Sequence, residues 1–216
     1  MGAGPLARRD YAGRSAADRR AERRERMLAA GLELFGTEGY AAASIERLCA
    51  RAAVSTRNFY EEFGSREALL MALHDRVNTT AIGAVREAFA ALPEAGLVER
   101  VRLAVRTYLD VTAQDPRLAR VAYVEVVGVS AEVERYRAGW RERWIELLVA
   151  EAERAVARGE ATRRDFRLTA IALMGAVNEL VHHWSVLGGI TPIEDITREI
   201  ARIATASVAD GLSTSG

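Results

Sequence analysis

Lysine is absent from this chain of 216 residues, and all 30 of its basic side chains are arginine. There is a single cysteine, Cys49, so no disulfide can form within the chain, and a reducing cytosol suits it. No uncharged apolar run approaches the ~18 residues needed to span a bilayer, and the first residues lack the apolar core of a signal peptide. These absences predict a soluble, cytoplasmic protein with no membrane partner. Proline is scarce too: of four, three (Pro93, Pro116, Pro192) fall between periodic segments. No strand-like alternation and no internal repeat is found, which leaves an all-α chain. Half of the residues are hydrophobic, enough for a buried core, and 28% are charged, so most of the length is expected to fold.

The formal net charge of zero hides an asymmetry. Residues 1–66 carry 12 Arg against 9 acids, and the remainder 18 Arg against 21 acids. The span 8–26 is the most basic, with 8 Arg against 4 acids. A basic head on an acidic body is the polarity expected when one end meets a polyanion. A codon bias towards Ala and Arg with a solvated face would produce the same numbers, and charge alone does not separate the two.

Residues 1–17 combine Gly, Pro and Arg without apolar periodicity and are expected to be a disordered basic arm. About nine helices follow. The first runs from about 18 to 36, with Leu28, Gly31, Leu32 and Phe35 on one face. Ser44 caps a second, whose stripe is Ile45, Leu48, Cys49 and Ala52. Ser55 caps a third, and Ser65 a fourth that buries Leu69, Leu70, Leu73 and Val77 and runs to about Leu92. Later helices are expected over 97–113, from Asp115-Pro116, over 130–158, over 162–187, and from Thr191-Pro192-Ile193-Glu194. The implied units are a head over 18–64, a helical bundle over 65–210, and a disordered tail over 211–216.

The second and third helices are only about three residues apart, a spacing that suits a helix-turn-helix. With Ser55 as N-cap, Val54 and Phe59 form a hydrophobic staple, and Phe59 and Phe63 share the buried face. At about 100° per residue, Arg57 and Glu61 lie opposite that face, Asn58 and Tyr60 flank them, and Glu62 turns to the rim. The first turn of such a helix reads base edges. Arg57 can bond guanine at two points and Asn58 can do the same to adenine. Glu61 either steadies Arg57 one turn away or reads a cytosine amino group.

The stretch RRERMLAAGLELFGTEGYAAASIERLCARAAVSTRNFYEEFGSREALLMALHDRV, residues 23–77, resembles the TetR (tetracycline-repressor-like) family of bacterial transcription regulators. The matching features are Leu34-Phe35 then Gly39, Ser44, the turn Ala52-x-Val54-Ser55, Tyr60, Phe63, and a basic residue at 66 before Leu69. The resemblance implies a ligand-responsive homodimer, a repressor whose two heads enter successive major grooves of a palindromic operator on double-stranded DNA. It also implies a C-terminal domain that takes a small-molecule effector, with no cofactor. Carried over by position, Ser44, Ser55, Thr56, Tyr60 and Arg66 contact DNA. Two departures stand out. Ala53 replaces the glycine common in the turn, and the basic residue common at 56 is found at Arg57 instead, so the base-reading pattern is this chain's own.

The helix expected over 162–187 is apolar on two faces and so buried on both sides. The resemblance pairs it and the last helix with their copies in a four-helix interface. To that interface are assigned Leu173, Val177, Leu180 and Trp184, with Ile196, Ile200 and Ile203. Asn178 and His182 then face inward. A pocket is expected from Tyr108, Tyr123, Trp140, Trp144, Met174 and Asn178, whose aromatic walls suit a largely apolar ligand. Glu125, inside the run VAYVEVVGV, is either a pocket acid or an exposed helix residue. A helical-bundle enzyme is the rival class. Glu179-x-x-His182 has the spacing of a di-iron bundle, but Met71 stands three before His74 and no second motif exists. Cys49 lies on a buried stripe without a nearby histidine, and no glycine-rich phosphate loop follows a strand. A protein-interaction adaptor is the third reading, and salt-dependent DNA affinity would separate it from a regulator.

Overall fold

Five serines open helices by accepting a hydrogen bond from the backbone N–H three residues on. They are Ser15 from Asp18 (3.0 Å), Ser44 from Arg47 (3.3 Å), Ser55 from Asn58 (3.1 Å), Ser65 from Ala68 (3.0 Å) and Ser130 from Val133 (3.3 Å). The computed structural model describes residues 15–209. Residues 1–14 of the expected arm and the expected tail over 211–216 lie outside the described residues. Ser15 is already the N-cap of the first helix, so that helix begins at Ala16 rather than at 18.

The described residues form nine α-helices and one π-helical segment, and no strand occurs among them. The head consists of α1 (Ala16–Thr37), α2 (Ile45–Ala52) and α3 (Thr56–Glu62). The body follows as α4 (Arg66–Ala91), α5 (Leu97–Thr112), α6 (Pro116–Arg120), the π-helical segment Val121–Glu125, α7 (Ala131–Ala157), α8 (Arg167–Val186) and α9 (Ile193–Ala209). Asp115 caps α6 by accepting from Arg117 N, with Pro116 in the first helical position as its spacing predicts.

The helix expected from 162 starts at Arg167. Gly159 ends α7 with φ of 74°, and Phe166 is buried with Ala152 and Ala155, so the connecting chain is held flat against α7. The last helix opens at Ile193 rather than at the proline, and the Thr191 carbonyl accepts the Trp184 indole N–H at 2.9 Å. The π-helical segment was not expected from the sequence. A π turn has no residue signature of its own within an apolar run such as VAYVEVVGV.

The head core is built on Phe35 and Phe59, both fully buried, with Met27, Leu28, Leu34, Leu48 and Cys49 around them. Each such side chain contributes about 1.5–3 kcal/mol by leaving water. The core does not stop at the head. Leu69, Leu70 and Leu73 from α4, and Val121 and Val126 from the π segment and the turn after it, close the same cluster. Head and body therefore share one apolar seam. Gly36 makes that seam possible, because a Cβ there would stand 2.5 Å from Arg117 Cβ and 2.9 Å from its Cα.

Besides the small cluster around Phe166, two larger body clusters lie beyond the seam. One joins Val77, Leu109, Ala119, Tyr123 and Val181 to Ile196 and Ile200 of α9. The other joins Ile82 and Val85 to Trp140, Trp144, Ile145, Ala170 and Met174. These clusters also take up residues that were expected to face a partner chain. Leu173, Ile196 and Ile200 are buried within a single chain, while Val177, Leu180, Trp184 and Ile203 are half-buried, the first three packed on the α9 cluster. The large apolar residues that α8 leaves exposed are Leu168, Ile171 and Val186, with Leu187 and Ile190 just after it. A helix apolar all round carries no sign of which side meets its own chain.

Candidate functional site

At the outer surface of the head, α3 divides by side. Phe59 is wholly buried, Phe63 and Val54 pack on the head core, and Thr56, Arg57 and Tyr60 stand in solvent. Arg57 is the most open of the paired side chains here, and its Nε donates to Glu61 Oε1 at 2.8 Å. That is the steadying arrangement of the two considered for Glu61. Glu62 turns away, as expected, and accepts from Arg20 Nε and Arg24 NH1, both at 2.8 Å. The two acids of the helix are thus each neutralised by arginine. Asn58 is half-buried and lines a small cleft with Arg20, Arg23 and Met27 of α1, so it faces the α1 flank rather than open solvent.

The turn before α3 carries visible strain. Ala53 has φ 52° and ψ 51°, the left-handed conformation that glycine adopts without a steric cost. Ser44 and Ser55 each accept from their own helix through the hydroxyl oxygen; Ser55 keeps a hydroxyl hydrogen that can be donated outward, while that of Ser44 is shared with the Glu46 carboxylate.

Arg66, expected to contact DNA, is half-buried and turned towards the loop before α2. Its NH1 donates to Tyr40 O at 3.2 Å and Ala43 O at 2.6 Å, and its guanidinium lies 4.7 Å over the Tyr40 ring. Two carbonyls and an aromatic face in the loop before α2 outcompete solvent for this cation. It therefore ties the first turn of α4 to that loop. Arg47 and Arg51 are likewise paired with α1, to Glu38 and Glu33.

The body contains a small cavity of about 30 Å³ between α4, α5, α7, α8 and the π segment. All six residues expected to line a pocket border it: Tyr108, Tyr123, Trp140, Trp144, Met174 and Asn178. His182 is not among its lining residues. The sequence reasoning missed His74 and Asn78, which come from α4. Their signal was present, since two polar residues four apart border the α4 apolar stripe. Thr112, Arg137 and Arg141 complete the polar part of the wall, and no carboxylate contributes to it.

The polar groups of the wall are bonded to one another. The Tyr123 hydroxyl donates to Tyr108 Oη at 2.5 Å, and Thr112 Oγ1 donates to the Tyr108 carbonyl at 2.9 Å. Trp144 Nε1 donates to Asn78 Oδ1 at 2.9 Å, while Asn78 Nδ2 donates to the His74 carbonyl at 2.9 Å. The Tyr108 ring meets the Trp144 edge at 5.0 Å. Burial pushes the Tyr108 phenol up to about 12 and raises Tyr123 well above the usual phenol value, so both remain hydroxyls. Burial also lowers His74 to about 4, helped by the Arg137 charge against a weaker opposing pull from Asp75, so its ring is neutral near pH 7. The wall sets neutral, hydrogen-bonded phenol, indole and amide groups between aromatic faces, with Arg137 and Arg141 as its charged members. A volume of this size holds about one water molecule.

A larger cleft of about 1660 Å³ between α5 and α9 is open to solvent, and its α9 arginines, Arg198 and Arg202, are paired with Asp195 and Glu199. It is a surface groove rather than a chamber. Among the described residues no group of three or more His, Cys, Asp or Glu could hold a metal ion, and no helix is long and apolar enough to cross a membrane.

Comparison with known proteins agrees with this geometry. Residues 27–73 match the family model for bacterial regulatory proteins of the tetR family, and residues 94–208 match that for the tetracyclin repressor-like C-terminal domain. The HTH-type transcriptional regulator EthR of Mycolicibacterium smegmatis is 29% identical over 140 residues, 63% of this chain. The match spans 64% of that relative, a little under two thirds of its length. A TetR-family transcriptional regulator from Syntrophomonas wolfei superposes with a TM-score of 0.77 at 25% identity, covering 90% of this chain and 98% of that one. FadR from Bacillus subtilis, solved in complex with stearoyl-CoA, gives 0.73 at 17% identity, covering 85% and 98%, a likeness of fold. With its helix-turn-helix head and its C-terminal helical domain both matched, the chain belongs to the tetR family of DNA-binding bacterial transcriptional regulators.

Proposed function

We propose that this regulator is a cytoplasmic homodimeric repressor that leaves a palindromic operator when a small, largely apolar molecule enters the body cavity. The observation that carries the reading is the course of α4. Its first turns close the head core through Leu69, Leu70 and Leu73, and His74 and Asn78 then line the cavity. His74 is eight residues from Arg66, about 12 Å along the axis. Anything that opens the cavity must move Trp140, Trp144 or Met174, or α4 itself, because the space present holds only about one water.

The effector is proposed to have an apolar body and a polar end that accepts hydrogen bonds. Aromatic walls, neutral hydroxyls and amides, two bordering arginines and the lack of any acid in the lining all support that chemistry. The stearoyl-CoA held by Bacillus subtilis FadR is of this kind. On the DNA side, Thr56 and Arg57 are assigned to base edges, Ser44, Ser55 and Tyr60 to phosphates, and Asn58 to the flank of the groove. For the partner chain, the exposed stripe of Leu168, Ile171, Gly175 and Val186 on α8 replaces the face first assigned. These residues recur at helical spacing on one side, and three of the four are large apolar residues left in solvent.

Selection of bound DNA from a random pool tests the reading. It should recover two inverted half-sites centred about 34 Å apart, or one helical turn. Failure to enrich any sequence, or enrichment of a single unrepeated site, would remove the palindrome and with it the symmetric dimer. Once an operator is available, Trp140→Ala should impair effector-driven release while leaving operator affinity intact. Unchanged effector affinity in that variant would take Trp140 out of the site.

A further inference from the structure

Tyr40, in the loop just before α2, is held from two sides of the body. Its carbonyl accepts from Arg66 of α4 at 3.2 Å, and its amide donates to Glu125 Oε2 of the π segment at 2.6 Å. Glu125 Oε1 accepts from Arg120 Nε at 2.8 Å, and Arg120 NH1 donates onward to the Thr37 carbonyl at the end of α1 at 2.9 Å. Glu125 is therefore neither a pocket acid nor an exposed helix residue. Its side chain is 12% exposed and spans the joint between body and head. Gly39, with φ of 96°, lets it approach, since a Cβ there would stand 3.3 Å from Glu125 Oε2.

Two residues before Glu125, on the same five-residue segment, Tyr123 lines the cavity and donates to Tyr108. Val121, at the start of the segment, is fully buried in the head core. One short piece of chain thus touches the cavity wall, the head core and the head's backbone. A π turn contains one residue more than an α turn and is a poorer hydrogen-bonding arrangement, so it is the part of this path with an alternative winding close at hand. Rewinding it by one residue would turn the chain beyond it by about 100° and withdraw the Glu125 carboxylate from Tyr40.

We propose that Glu125 is a latch that passes the state of the cavity to the head, with the π-helical segment as its moving part and Tyr123 as its sensor. The proposal rests on the reading of the cavity as the effector site. It adds a route that bypasses α4: displacement of Tyr123 releases the Tyr40 amide, and the loop that positions α2 and α3 loses its tie to the π segment while keeping Arg66. Glu125 is a positioning residue here and contacts neither DNA nor effector.

The latch is read directly by hydrogen exchange at the Tyr40 amide in the full chain, without DNA or effector. Two cavity variants supply the perturbation. Tyr123→Phe removes the bond to Tyr108, and Met174→Trp fills the space from α8 without touching the π segment's own residues. Both should speed Tyr40 exchange by about tenfold while the Phe63 amide, bonded to Phe59 O within the head, exchanges as before. In a Glu125→Ala background, Tyr40 exchange should already be fast and neither cavity variant should raise it further. Unchanged Tyr40 exchange in Tyr123→Phe would overturn the proposal. So would an equal rise at Phe63, or a cavity response that persists without Glu125. Because no DNA or effector is present, loss of the latch and loss of the operator reading are recorded by separate experiments.

Discussion

Arg57 and Glu61 face each other across one turn of α3, Nε to Oε1 at 2.8 Å, with both side chains largely in solvent. An exposed, solvent-screened pair of this kind adds little to the fold, so its worth lies in placement. It holds a guanidinium over the surface that would meet a major groove, with NH1 and NH2 free of the Nε bond to Glu61.

Arg57→Ala should therefore leave thermal stability unchanged and lower affinity for the selected operator by about tenfold to a hundredfold, the worth of one two-point base contact. Random DNA should lose far less. Titrations of both DNAs at one salt concentration decide it, and equal losses would assign Arg57 to a phosphate instead.

Ala53 is the one non-glycine residue with positive φ among those described. An L-residue in this conformation costs roughly 1–2 kcal/mol, and glycine gives back part of that as greater freedom in the unfolded chain. Ala53→Gly should stabilise the protein by about 0.5–1 kcal/mol, visible as a small rise in Tm. A fall in Tm would mean that the alanine methyl makes a contact outweighing the strain.

Local signals were the legible part of this molecule. Ser44, Ser55, Ser65, Asp115 and Ser130 announce helix starts by chemistry confined to four residues, and each is a cap. The buried side of α3 follows from Phe59 and Phe63 alone. The four aromatic residues, Met174 and Asn178 share one cavity because each lies on the inner side of its helix, a matter of periodicity. What stayed hidden depends on distant partners. Arg66 turns inward because Tyr40 and Ala43, more than twenty residues earlier, offer carbonyls. Glu125 reaches back 85 residues to Tyr40. The two apolar faces of α8 are equivalent in hydropathy until α7, α9 and the π segment choose one. No periodicity could rank them.

Arg100 carries the other long-range contact of consequence. It is 4% exposed, and its Nε and NH2 both donate to Glu151 Oε2, at 3.0 and 2.7 Å. NH1 donates to the carbonyls of Phe89 and Leu92 at the end of α4. One buried cation thus fastens α4, α5 and α7 together. Removing one partner leaves the other charge uncompensated, so Glu151→Ala should cost about 3 kcal/mol, scaled down from a fully buried pair because Glu151 keeps some solvent. Arg100→Met, which removes the charge and keeps the volume, should cost less once combined with Glu151→Leu. Urea unfolding of the two single variants and the double variant tests the ordering, and a double variant worse than Glu151→Ala would reverse it.

His74 makes stability depend on pH in a defined window. Its ring is buried beside Tyr136, Arg137 and Asp75, and it titrates near 4 in the fold, against about 6.5 when unfolded. Between those values the unfolded chain binds a proton that the native chain refuses, so stability rises with pH. The contribution is complete above about 6.5, falls as the pH drops, and is lost near 4, a total of roughly 3 kcal/mol. At pH 5 about 2 kcal/mol should already be gone. His74→Gln should flatten this part of the profile, leaving only the slope that the carboxylates supply. Urea unfolding of both proteins at pH 5.0 and 7.5 measures the difference. Parallel profiles, or a His74 titration by NMR centred near 6.5, would show that burial does not hold the ring neutral. The cavity would then carry a positive charge under mildly acidic conditions, and its preference would move towards anionic effectors.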